Sequence, residues 1–208
     1  MANELAELGA EAVVVQGARD AALDEARHRD LCALQAERFG EPNPKDYVVP
    51  KQRIGASRSD TRERLLWEVV AVCCLSETMN TSLLSRCQEL VKDAELRSTI
   101  HELLEDEVQH ARIGWAHLAA ERAAGRGDFL ADALPLMLEA SIEPGFLQQG
   151  ESMPWIDELY DYGELPHAEL VRIYRETLDQ VVFRGLEAMG VDTSKGRAWL
   201  AKQNAARG

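Results

Sequence analysis

Glu107 and His110 stand three residues apart within the stretch 103–112, a run without Gly or Pro. On a helix this spacing turns the second side chain about 60° from the first and one turn along, so both point the same way. A carboxylate and an imidazole converging from one helix face make the Glu-x-x-His half-site with which helical bundles hold a pair of iron or manganese ions. Alone, the pair is a weak signal, because Glu and His also fall three apart by chance on solvated helices.

The chain carries the pattern twice. Asp24-Glu25-Ala26-Arg27-His28-Arg29-Asp30-Leu31 aligns without a gap on Asp106-Glu107-Val108-Gln109-His110-Ala111-Arg112-Ile113, with Asp, Glu and His coinciding. Both copies continue into an apolar stripe, Leu31 and Leu34 in the first and Ile113 and Trp115 in the second. Repetition of this kind defines architecture. It predicts two helical hairpins related by a pseudo-twofold axis, each giving one Glu-x-x-His to a shared centre.

Long helices must position these groups. A short helical piece over 2–8 ends at Gly9, and a long helix follows from about Glu11 to Arg38, with Gly17 as a mild flaw. Residues 40–58, with Pro42, Pro44, Pro50 and Gly55, read as a long crossover. Ser59 or Asp60 can cap the next helix, with Glu63 as capping-box partner, and its apolar face runs to about Val91. Lys92-Asp93 marks a tight reversal, and a helix over about 94–123 ends at Gly125-Arg126-Gly127. Beyond it, a helix from Asp128 is bent or broken near Pro135. The stretch 141–165 is mostly loop with one turn around Trp155–Tyr160, 166–189 is amphipathic, and a last helix covers about 193–203. The expected organisation is one domain: a helical bundle over 1–124 and a helical extension, 125–208, packed on it.

A centre for two ions needs carboxylates from the other two helices, one Glu each. The third long helix offers Glu68 and Glu77, nine residues apart and so about 180° round the helix. If the hairpin reverses near 93, the level matching Glu107 is about 79. That selects Glu77, since a buried carboxylate among Leu75, Met79 and their neighbours is costly without a cation. Glu68 is then a solvated or interface carboxylate. Reflecting Glu25 about the reversal near Gly9 reaches no position in this chain, so the first bundle helix and its Glu are missing. Three explanations compete: a start at an internal Met, a carboxylate supplied by another subunit with the protein dimeric or larger, or a site of five ligands holding one ion or none. Those five are Glu25, His28, Glu77, Glu107 and His110. Metal-bound imidazoles donate their second nitrogen to a carboxylate, and the pseudo-twofold pairs Asp24 with His110 and Asp106 with His28.

Composition narrows the class. Apolar residues make up 46% and charged residues 28% of 208 residues, an ordinary balance for one soluble domain. Helix formers dominate, which predicts an all-α fold. A net charge of −13 without clustered Lys or Arg disfavours a nucleic-acid partner. No signal peptide or apolar run of about 18 residues is evident, so a cytoplasmic protein with no membrane partner is expected. Cys32, Cys73, Cys74 and Cys87 lack Cys-x-x-Cys spacing and read as small reduced fillers. His101, His117 and His167 read as core or surface residues, and the Trp and Tyr residues as packing.

Asp24-Glu25-Ala26-Arg27-His28 and residues 105–112 resemble the bacterial ferritin-like superfamily, above all its uncharacterised members with a Leu-Pro plus amphipathic-helix extension such as 165–190. Asp-Glu-x-x-His is also similar to the motif of ribonucleotide reductase small subunits, where that Asp supports the ligand His. The likeness covers about 10–124 well and the tail loosely. It implies a ferritin-like four-helix bundle and a carboxylate-bridged centre of two irons (or iron and manganese). Glu77 and one other Glu would bridge the ions, and O₂ would be used to oxidise an unknown small molecule. The alternatives are iron storage or detoxification, or a non-catalytic interaction module with a degenerate site.

Overall fold

Asp60 and Asp93 begin the two helices that carry the core. Each side chain accepts a hydrogen bond from a backbone N–H three residues on, Glu63 N at 2.8 Å and Leu96 N at 2.9 Å, which satisfies a donor the helix leaves free. The structure, a computed structural model, describes residues 1–40, 59–143, 145–147 and 157–205. The expected crossover lies outside the described residues from position 41 on, as does Trp155.

The helices are α1 (Ala2–Glu7), α2 (Ala12–Arg38), α3 (Thr61–Val69), α4 (Glu77–Leu90), α5 (Ala94–Ala123), α6 (Leu130–Ser141), α7 (His167–Thr177), α8 (Phe183–Ala188) and α9 (Ser194–Ala205). A π-helical stretch, Val70–Ser76, fuses α3 and α4 into one rod, and another, Leu178–Val182, joins α7 to α8. A 3₁₀ turn covers Asp157–Tyr162. The fold is all-α, with no strand among the described residues, and no described helix is long and apolar enough to cross a membrane.

The central helix is α5. On one flank, Arg27 Nε lies 3.1 Å from Glu102, Gln35 donates to Thr99 at 3.0 Å, and Arg38 pairs with Asp93 at 2.8 Å. Rising numbers on α2 therefore meet falling numbers on α5, and the two run antiparallel. On the other flank Arg62 reaches Glu121 at 2.8 Å and Trp115 Nε1 donates to Thr78 Oγ1 at 3.2 Å, so the α3–α4 rod is antiparallel to α5 as well. Two parallel rods thus flank one antiparallel helix.

Val70, Cys74 and Leu75 are fully buried because the rod is covered on two sides. Leu118 of α5 and Leu134, Met137, Leu138, Leu178 and Phe183 of the C-terminal helices share one core with them. Burying each such Leu or Phe contributes roughly 1.5–3 kcal/mol. That burial explains a correction. α6 begins at Leu130, not Asp128, and continues unbroken through Pro135. Packing of Leu134, Met137 and Leu138 offsets the roughly 3 kcal/mol that an internal proline costs a helix.

Two further expectations change. The stripe after the first Glu-x-x-His is not buried, since Leu34 is 60% exposed: α2 packs along α5, and no described residue covers its far side. Gly17 is a point of close approach and not a flaw. A Cβ there would sit 2.6 Å from Ile113 Cδ1.

Candidate metal centre

Glu25 and His28 come from α2, Glu77 is the first residue of α4, and Glu107 and His110 come from α5. One ligand atom from each of Glu25, Glu77, Glu107 and His110 lies within 4.8 Å of all the others, a spacing that one cation can span. His110 Nδ1 is 3.4 Å from Glu25 Oε1 and 3.4 Å from Glu107 Oε2. His28 is outside that tight group. Its Nδ1 lies 3.8 Å from Glu25 Oε2 and 3.7 Å from Glu107 Oε1. Glu25 and Glu107 therefore stand between two imidazoles whose centroids are 5.9 Å apart.

The far nitrogen of each imidazole faces an aspartate from the opposite helix. His28 Nε2 lies 2.9 Å from Asp106 and His110 Nε2 lies 3.3 Å from Asp24, the crosswise arrangement that the repeat predicts. Arg27 ties the two aspartates together, pairing with Asp106 and reaching Asp24 at 3.2 Å. With the Nε2 atoms so engaged, both Nδ1 atoms turn toward the carboxylates.

Glu77, Glu107, His28 and His110 are buried, while the Glu25 side chain is 55% exposed. Burial pushes the Glu77 carboxyl up to about 9, reinforced by its hydrogen bond with Glu107 and by the charges of Glu107 and Glu25. For Glu107, burial works against ionisation, yet hydrogen bonds with His110 and Glu77 hold it below the usual carboxylate range. Burial likewise opposes a charged His110, but hydrogen bonds with Glu107, Glu25 and Asp24 carry it up to about 10. At neutral pH Glu77 and His110 therefore hold protons, which offset part of the carboxylate charge. Glu107 Oε2 is buried without a well-aligned hydrogen bond.

The π-helical stretch delivers Glu77. Its loosened turn leaves Ala71 O to accept from Ser76 Oγ at 3.2 Å and from Ser141 Oγ at 3.1 Å. Such stretches recur at functional sites, but periodicity could not reveal this one, because Val70–Leu75 is apolar all round. Glu68 faces elsewhere, half-buried against Arg64 at 2.9 Å. Two contributors were not expected. Asn80 Nδ2 donates to Glu77 Oε2 at 3.4 Å, and its Glu-x-x-Asn spacing was a readable signal. Gly114 lets α5 meet the rod, since a Cβ there would fall 2.3 Å from Cys73 Cβ.

Cys73 borders the centre, and burial, then the nearby Glu77, Glu107 and Glu25 carboxylates, pushes its thiol up to about 12. Cys74 and Cys87 are buried fillers, but Cys32 is exposed, against expectation, because it lies on the uncovered side of α2. His117 is buried beside the cavity and His101 is exposed next to Glu105. His167, at the start of α7, donates from Nε2 to Phe146 O at 2.9 Å. A cavity of about 390 Å³ opens from the carboxylates along Leu5, Val14, Ala18, Val69, Val72 and Ile113.

Oxygen and imidazole donors without thiolate suit iron or manganese. Three carboxylates and two imidazoles converging here form a donor set that could hold cations. No family model matches the sequence, and searches of curated proteins and of solved structures give no match.

Proposed function

We propose that this protein is a ferritin-like metal-binding protein whose centre holds two iron ions and oxidises a small molecule with O₂. One observation carries the reading: Glu25, Glu77, Glu107 and His110 converge within 4.8 Å, with a second imidazole, His28, 3.7 Å from Glu107. Three carboxylates this close are costly unless cations or protons neutralise them. The residues fit the metal, because both imidazoles present Nδ1 to the carboxylates and Glu107 Oε2 is buried without a well-aligned hydrogen bond.

When bound, an iron pair supplies redox equivalents for reaction with O₂. The protein's own groups bind and orient. Glu25 and Glu107, between the imidazoles, and Glu77, on the His110 side, would hold the ions together with His28 and His110. Asp24 and Asp106 hold the two rings in one tautomer. The apolar cavity excludes water from one side of the centre and admits a small, mostly apolar molecule. This favours an enzyme over a storage protein. The uncovered face of α2, with Leu23 72% exposed, suits self-association.

Elemental analysis of purified protein, followed by O₂ consumption with ferrous iron, tests the reading. About two irons per chain and O₂ uptake that stops short of mineral accumulation support it. Iron in large excess within a cage-sized assembly would mean storage. No bound metal would leave a helical interaction module.

A further inference from the structure

His117 follows His110 on α5 by nearly two turns, so the two imidazoles share a helix face about 10 Å apart. Both line the same cavity. Between them its walls are apolar, with Val14 and Ala18 from α2, Val69 and Val72 from the rod, and Ile113 from α5. Gly17 meets Ile113 where α2 packs on α5, so Val14, about one turn back, comes level with His117. His117 is 5% exposed, and its ring nitrogens have no hydrogen-bond partner among the described residues. A buried imidazole in apolar surroundings is costly unless something in the cavity supplies that bond.

We propose that the cavity takes an uncharged molecule, an apolar chain about 10 Å long that ends in a hydroxyl or carbonyl, and that His117 hydrogen-bonds this polar end. The opposite end of the chain then lies at Glu25, Glu77, Glu107 and His110. This deepens the oxidation reading above and rests on it for what the far end meets; binding at His117 does not depend on it. Burial lowers the His117 imidazole from its ordinary value; Glu121 raises it, and Arg62 and Arg126 work against Glu121. The ring is therefore neutral near neutral pH and offers one donor and one acceptor. Arg62 and Arg126 turn onto Glu121, at 2.8 and 2.6 Å, and neither lines the cavity. A charged head group would meet no guanidinium there, and the carboxylates at the other end would repel an anion. A volume of about 390 Å³ is ample for a chain of this length. His117 is thus a positioning residue, which sets the part of the chain presented to the centre.

The probe is n-octanol, with octanoate as its charged counterpart, titrated into the full chain without added metal and followed by calorimetry. Saturable binding of octanol is expected, with octanoate weaker. His117→Leu should weaken octanol binding by about three- to tenfold, the loss of one hydrogen bond, and His117→Gln, which can donate and accept, should restore most of it. If leucine disturbs folding, His117→Phe keeps a ring in place and serves instead. With Mn²⁺ added, the terminal methyl protons of octanol should broaden more than those beside the hydroxyl, because the methyl lies nearer the ion. No saturable binding, unchanged affinity in both His117→Leu and His117→Phe, tighter binding of octanoate, or stronger broadening at the hydroxyl end would overturn the inference and leave the metal reading standing. Absence of Mn²⁺ binding would overturn the metal reading, while the His117 dependence without metal would still decide this inference by itself.

Discussion

Asp106 Oδ2 stands 2.9 Å from Nε2 of His28, seventy-eight positions away in the chain, and so leaves Nδ1 of that ring facing Glu107. Asp24 and His110 repeat the relationship at 3.3 Å. The two aspartates that precede the repeated Glu-x-x-His thus orient the imidazoles. Asp106→Asn should lower metal affinity by about 10–100-fold while leaving helix content unchanged. Metal titration alongside circular dichroism reads both, and unchanged affinity would remove the orienting role.

Gly114 sets how closely α5 meets the rod. Gly114→Ala places a Cβ 2.3 Å from Cys73 Cβ and 3.1 Å from its carbonyl carbon, so backbone has to shift. A destabilisation of about 1–3 kcal/mol is expected, together with weaker metal binding as Glu77 moves from Glu107. Denaturant unfolding checks it. Gly17→Ala meets only the flexible end of Ile113 and should do less harm.

Metal uptake near neutral pH should release protons, because His110 is raised to about 10 and Glu77 to about 9. The sign for the metal-free protein follows from the same values. Both groups hold protons more tightly folded than unfolded, so their contribution to stability is fully present below their unfolded pKa values. It is lost as pH rises through about 9 to 10. The melting temperature without metal should therefore fall as pH rises from the ordinary Glu and His values, 4.5 and 6.5, toward about 9 to 10, and bound metal should reverse the trend. Calorimetry in buffers of different ionisation enthalpy counts the protons.

Asp93 links the start of α5 to the end of α2. The Arg38 guanidinium, with the Leu96 N–H, lowers its carboxyl to about 2. Its contribution is present above the ordinary aspartate pKa and lost as pH falls through about 2. Asp93→Asn should flatten the acid limb of a pH–melting curve. An unchanged acid limb would show that the pair contributes nothing there.

The helix limits other than the start of α6, the cap at Asp60, and the doubled Glu-x-x-His were legible in the sequence, because each depends on residues within one or two turns. The choice of Glu77 over Glu68 was legible too, through a count of residues from the Lys92–Asp93 reversal. Other features needed the packed chain. Leu34 and Cys32 continue a plausible stripe, yet only tertiary structure decides that α2 is covered along one side. The π-helical turn before Glu77 lies in a run that is apolar all round, where periodicity carries no information. The close approach at Gly114 and the cavity that His110 and His117 line also arise between helices. Spacing determines which side chains share a face of one helix, and packing decides which faces meet.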